Sequence, residues 1–345
     1  MNRPAAVAVA VAALLCAGGA RAHVVYGTET LRGLVQQSDL VARVRILSPG
    51  AALPLEEPVV VAELLDVIKG PAVPGPLRFV QHGHGVPLYQ KDQEVSLFLQ
   101  RIARSRELGS LAGKVDWVSI QEGDAMAGDA TLVAALRAYA ALEKLPAAQR
   151  PAGMREITLK LLASPDERLA SSGVRDLALA PDATPIVTAE DLPALEKILW
   201  SSATPVGVRM ALLSELERRK LVPGPPQWVK LLRETHGADQ IAVARAAAAH
   251  PSPPVTQELV ALLAGSDVLL VSTAAISLGV PGNEKAVEPL GKLLTSKQER
   301  VRMAAIRGLG RIGTPSAQAR LTQAAANHPD PDTRRRAGAE IPRRP

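Results

Sequence analysis

The feature that most constrains this chain is a helical pattern that repeats. In Val301–Gly313, VRMAAIRGLGRIG, apolar or small residues at Val301, Ala304, Ala305, Gly308 and Ile312 recur with a period near 3.6, and Met303, Ile306 and Leu309 widen the stripe. A helix patterned this way is buried on more than one side. Upstream, Ala286, Leu290, Leu293 and Leu294 form another stripe, and the short connection Thr295–Glu299 predicts that the two helices fold back as a hairpin. The hairpin returns at Leu259–Val280, and setting Val301 on Val271 gives a period of 30 residues. Looser copies of the second helix stand at Val174–Ala180, Val208–Leu216, Ile241–Ala249 and Thr333–Ile341. Units of this length cannot bury their apolar faces alone, so they are expected to stack on their neighbours.

The phrases VRMAAIRGLGRIG and VSTAAISLG resemble the HEAT-repeat family, in its short-repeat branch similar to phycobilisome lyases. The resemblance is strongest over Leu259–Ile341 and fades back to about Met154. It implies a right-handed α-solenoid whose stacked hairpins present a concave face that binds other molecules. Lyase activity is not carried over, because a few such repeats mark a fold, and a fold hosts many functions.

The N-terminus reads differently. Arg3 is followed by the 13-residue apolar run Ala5–Ala17, and Ala20-Arg21-Ala22 is an A-x-A cleavage site, so residues 1–22 are expected to be a secretory signal and His23 the mature terminus. That places the protein in the periplasm or outside a bacterial cell. The run is shorter than the roughly 20 residues a spanning helix needs, and no later segment is apolar enough to serve as one. Cys16, the one cysteine, falls in the signal, which leaves the mature chain without disulfides or thiol ligands.

Between the signal and the repeats the periodicity shortens to two. Thr28–Gln37 predicts a short helix, and Asp39–Leu47 alternates Ala42, Val44 and Ile46 with Arg43 and Arg45 as a half-buried strand does. Val59–Ile68, Pro76–Gln81, Gln93–Gln100 and Val115–Ile120 continue the series, and about five strands joined by Pro- and Gly-rich loops predict a small all-β barrel. The phrases SDLVARVRI, VVVAELLDVIKG and QEVSLFLQR resemble netrin-like and metalloprotease-inhibitor barrels of the OB type, without the cysteine pairs of that family. The expected organisation is therefore a mainly α protein: a barrel domain over 23–124, then a HEAT-like α-solenoid over 125–345 of about six hairpins. Gly123–Gly128 is expected to be the hinge between them. Asp129–Leu145 should be an amphipathic helix burying Leu132, Leu136, Tyr139 and Leu142, and Pro223-Gly224-Pro225-Pro226 should be a turn between repeats.

Charge is unevenly spread. Residues 299–345 carry ten arginines against four carboxylates, whereas 23–298 carry 28 basic and 30 acidic residues. Arg334-Arg335-Arg336 with Arg343-Arg344 offers a site for an acidic partner at the C-terminal end, or a solvated face of a capping helix. Export and a 2% aromatic content speak against nucleic acid, since few rings are available to stack on bases.

For metal chemistry, His82 and His84 would share a face if extended, and His23 would add an imidazole and the mature amine, a set suited to copper or zinc. His250-Pro251, His328-Pro329 and His236-Gly237 read instead as helix-end caps. Arg175, Arg209 and Arg302 each follow a valine in a second helix. The resemblance implies that they pair with acids of neighbouring repeats, for which Asp166, Glu215 and Glu299 are candidates. Neither a nucleophile elbow nor a His-Glu-x-x-His helix nor a phosphate loop is present, and Gly308–Gly313 mimics part of a dinucleotide fingerprint while ending a helix. No catalytic residue and no cofactor is called for. The leading reading is an exported, non-enzymatic adaptor that binds a protein. Its alternatives are a metal-binding envelope protein using His23, His82 and His84, and an inhibitor-like barrel module.

Overall fold

A computed structural model of the protein describes residues 30–49, 59–81, 89–104, 115–120, 126–127, 130–181 and 185–341. The signal, the His23, His82 and His84 set, Arg343 and Arg344 lie outside the described residues. The chain divides into two compact units, 1–161 and 162–345.

The first unit begins with helix α1 (Leu31–Gln37), capped by Thr30, whose hydroxyl accepts from Gly33 N. Strands β1 (Leu40–Ser48), β2 (Val59–Lys69), β3 (Leu77–Val80), β4 (Glu94–Arg101) and β5 (Trp117–Ser119) follow. They pair in the order β1-β2-β3-β5-β4, and β1 pairs again with β4, so the sheet closes on itself as a five-stranded barrel. All pairings are antiparallel except β3 with β5. The alternation read in the sequence carries the barrel: Ala42, Val44 and Ile46 point into a core shared with Val60, Leu77 and Leu97. Arg43 and Arg45 point out, where both pair with Glu94 and Arg45 also meets Glu63 at 2.9 Å. Val41 and Phe98, opposite each other across β1 and β4, are fully buried outside that core. Strand pairs of this kind stay dry only under a cover.

Part of that cover is helix α2 (Ala130–Lys144), which packs on α1 and β2 and buries Leu132, Leu136, Tyr139 and Leu142. Lys69 meets Glu143 at 2.9 Å, and Arg137 meets Asp66. Where the sequence reading starts the solenoid at residue 125, α2 and helix α3 (Arg150–Leu162) fall, but for the last residue of α3, in the unit of the barrel. Of the hinge expected at Gly123–Gly128, Gly123, Asp124, Ala125 and Gly128 lie outside the described residues, and Met126 and Ala127 form strand β6, which adds to β4 opposite Val95 and Ser96.

The second unit is helical. It comprises α4 (Glu167–Leu179), α5 (Leu192–Leu199), α6 (Val206–Arg218), α7 (Gly224–Glu234), α8 (Gly237–Ala246), α9 (Pro253–Leu262), α10 (Val268–Ser277), α11 (Glu284–Leu293), α12 (Glu299–Ile312), α13 (Pro315–Asn327) and α14 (Pro331–Ala339). After α4, each odd-numbered helix packs on the even-numbered helix that follows it, which makes five hairpins among the described residues. Pro223 is the N-cap of α7 and Gly224, Pro225 and Pro226 open its first turn, since proline is tolerated where backbone N–H groups have no intrahelical partner.

Candidate functional site

Every copy of the second-helix phrase found in the sequence falls on one row of this unit. Helix α4 packs on α6, α6 on α8, α8 on α10, α10 on α12 and α12 on α14. Of their register residues, Val174, Val208, Val271, Val301 and Thr333 are buried and Ile241 of α8 is half-buried. First helices form the other row, with α7 on α9, α9 on α11 and α11 on α13. A side chain on a second helix that does not point at its hairpin mate or at its row neighbours therefore faces solvent on a surface shared by the whole row.

Glycine sets how close the row can pack. A Cβ on Gly308 of α12 would stand 2.6 Å from the Ala275 carbonyl oxygen of α10, and one on Gly279 would lie 3.0 Å from Gly308 Cα. Backbone thus meets backbone at this crossing, and the longer side chains are displaced along the groove. Helix α12 then ends on Gly313 in the left-handed conformation, φ 67°, its N–H donating to Leu309 O. The glycine-rich phrase closes a helix, as its sequence context implies.

Two recesses open on the row. The larger, about 540 Å³, lies between α10 and α12; Leu269, Thr273, Ile276 and Met303 line it together with Arg300, Arg307 and Arg311, and Arg245 reaches it from α8. The second, about 400 Å³, lies between α12 and α14, shares Met303 and Arg307 with the first, and adds Arg335, Arg336 and Glu340. Among the described residues, Arg245, Arg300, Arg307 and Arg311 have no hydrogen-bond or ion-pair partner.

Other arginines of the unit are spent on structure. Arg209, 8% exposed, donates Nε to Leu199 O at 2.7 Å and approaches Glu234 at 3.5 Å. Arg302 donates to Ser296 O and Lys297 O, to Thr333 Oγ1 and to Asp330 Oδ2 at 2.8 Å. Both thus stitch one repeat to the next, with Glu234 and Asp330 as acids in place of Glu215 and Glu299. Glu215 pairs with Arg218 and Arg219 of its own helix, and Asp166 caps α4 through Arg168 N and Leu169 N. Asp330 caps α14 in the same way, and the Thr333 hydroxyl together with the Arg302 guanidinium lowers its carboxyl from 3.8 to about 2. Of the Arg334–Arg336 cluster, Arg334 donates to His328 O and Pro329 O, and Arg335 meets Asp332 at 2.9 Å. Among the described residues, the unspent cations of this end therefore centre on Arg300, Arg307 and Arg311 of α12, which the sequence reading did not single out.

The described histidines sit at helix ends. His328 closes α13, accepting at Nδ1 from Asp330 N and contacting Leu294 O through Nε2 at 3.0 Å. His250 follows α8 and its 3-10 extension, stacks on Trp228 at 4.3 Å and contacts Glu217 through Nδ1 at 2.6 Å. Its Nε2 stands 3.5 Å from Ser214 Oγ, so Ser214, His250 and Glu217 line up in the order of a hydrolytic triad. The Ser214 hydroxyl donates to Met210 O, a bond that ties it to its own helix α6. His236 needs correction: it does not close α7 but precedes α8 at its N-terminus, and Thr235 is the residue that ends α7.

The profile of the family described as HEAT repeats matches residues 256–341. No curated protein sequence matches the chain. Among solved structures, the chain is similar to YIBA_ECOLI (14% identity, 62% of this chain and 77% of that one, TM-score 0.41). It is also similar to human deoxyhypusine hydroxylase in complex with glycerol (17%, 62% and 80%, 0.31) and to a designed armadillo repeat protein (17%, 55% and 98%, 0.33). Likenesses at these TM-scores carry no functional argument.

Proposed function

We propose that this chain, whose C-terminal part is an array of HEAT repeats, is an exported, non-enzymatic bacterial adaptor that holds a protein partner on the face of its second helices. A repeat array suits a protein-interaction scaffold, since it builds a broad preformed surface without needing a catalytic cleft. The observation that carries the choice of face is the alignment of α4, α6, α8, α10, α12 and α14 in one packed row, with both large recesses opening on it. Export is supported by Arg3, the apolar run Ala5–Ala17 and the A-x-A site at Ala20–Ala22.

Affinity capture from fractionated cells tests both parts. Protein recovered from the envelope fraction should begin at His23, and a chain retaining Met1 in the cytosol would contradict export. The mature protein and a Lys285→Glu variant, altered on the exposed side of α11, should capture the same partner. A Leu269→Glu/Met303→Glu variant, which puts two carboxylates into the larger recess, should lose it. Retention by that variant would remove the second-helix face from the account.

A further inference from the structure

We propose that the groove between α10 and α12, continued into the recess between α12 and α14, binds an extended acidic segment of a protein partner. The proposal rests on the reading of the second-helix face as the binding face and adds the chemistry of the occupant.

Charge carries it first. Arg300, Arg307 and Arg311 stand at i, i+7 and i+11 on α12, one side of a helix over about 16 Å. With Arg245 they line one groove, and all four are exposed. Like charges held this close repel one another, and none of the four has a carboxylate partner among the described residues. This contrasts with Arg209, Arg302 and Arg334, which are tied to carbonyl oxygens and acids of the repeats themselves. A guanidinium left exposed beside a recess is well shaped for a carboxylate, which it can grip through two parallel N–H donors.

The rest of the lining selects the class of anion. Leu269, 39% exposed, lies in the groove with the half-buried Ile276 and Met303. An extended peptide alternates its side chains, so carboxylates can meet the arginines while aliphatic groups from the intervening positions cover these three. About five extended residues span the 16 Å of arginines at roughly 3.3 Å each. No aromatic ring lines either recess, and single-stranded nucleic acid relies on such rings for stacking.

The test is fluorescence anisotropy on the mature protein with an eight-residue probe alternating Glu and Leu, beside counterparts carrying Gln or Lys in place of Glu. The Glu probe should bind about tenfold tighter than the Gln probe and weaken as salt rises. Arg307→Glu/Arg311→Glu should weaken it by about tenfold or more, and Lys285→Glu/Lys292→Glu on the exposed side of α11, which changes net charge equally, should not. Arg307→Gln/Arg311→Gln is the milder pair should the reversal disturb folding. Equal binding of the Gln probe, or unaltered binding by both arginine variants, overturns the acidic occupant. So does equal affinity for a single-stranded oligonucleotide or for phosphatidylglycerol vesicles. Should the Gln probe bind and Leu269→Glu/Met303→Glu abolish that binding, the face stands and only the acidic chemistry falls. Failure of every peptide probe also overturns the acidic segment, and partner capture then judges the face separately.

Discussion

At the scale of single residues, the repeat array is held by polar side chains that reach from one hairpin into the next. Asp330 is the clearest case: it caps α14, accepts from the Thr333 hydroxyl and meets Arg302 of the preceding second helix. Its carboxyl is lowered from 3.8 to about 2, so the folded state favours the ionised form. The stabilisation is therefore present above pH 3.8 and is lost as pH falls through about 2. Asp330→Asn, which keeps the cap and removes the charge, should lower the melting temperature near neutral pH, and the gap to the parent should close between about pH 4 and pH 2. A gap independent of pH would contradict the ionic part of the role. The family resemblance implied that Arg209 and Arg302 belong to such stitches, with Glu215 and Glu299 among the candidate acids; the structure supplies Glu234 and Asp330 instead. Choosing among Glu215, Glu234, Glu299 and Asp330 requires the rotation of each helix about its axis, which spacing along one chain leaves open.

At the scale of helices and strands, periodicity was the legible signal. Buried Val301, Ala304, Ala305, Ile306, Leu309 and Ile312 reproduce the stripe read from VRMAAIRGLGRIG, and Ala42, Val44 and Ile46 reproduce the strand alternation. What periodicity leaves out is the identity of the surface an element covers. Helix α2 shows the same amphipathic pattern as a repeat helix, yet it covers β2 and α1. Strand β6 spans two residues, too few for any period to register.

The closest crossing in the array supplies a paired prediction. Adding a methyl group at Gly308 drives it against the Ala275 carbonyl at 2.6 Å, where backbone has to give way. Gly308→Ala should therefore destabilise by about 1 kcal/mol or more even after the helix-propensity gain of alanine. At Gly310, two residues on, the obstacle is the Glu340 side chain: its carboxylate can swing into solvent, and its Cβ, at 3.1 Å, need give by only a few tenths of an ångström. Gly310→Ala should be neutral, or stabilising by up to about 1 kcal/mol. Chemical denaturation of the two variants checks the sign, and equal destabilisation by both would contradict the close approach.

For the molecule as a whole, two folds in one chain were visible from the change of hydrophobic period from two to 3.6, and the structure shows a barrel followed by a helical repeat array, whose residues 256–341 match the HEAT-repeat profile. Less visible was where the binding surface lies. The C-terminal excess of arginine is plain in the sequence, but only the packed row separates those used internally, such as Arg302 and Arg334, from Arg300, Arg307 and Arg311, which share one solvent face. The metal reading drew on His23, His82 and His84, all outside the described residues, and remains an expectation of the sequence.

The central claim is that the second-helix row is the working face, and hydrogen exchange of the full mature chain with and without its captured partner tests it most directly. Slowed exchange in α10 and α12, extending to α8 and α14 and sparing α11 and α13, is the predicted result. Protection confined to the first helices or to the barrel strands would contradict it.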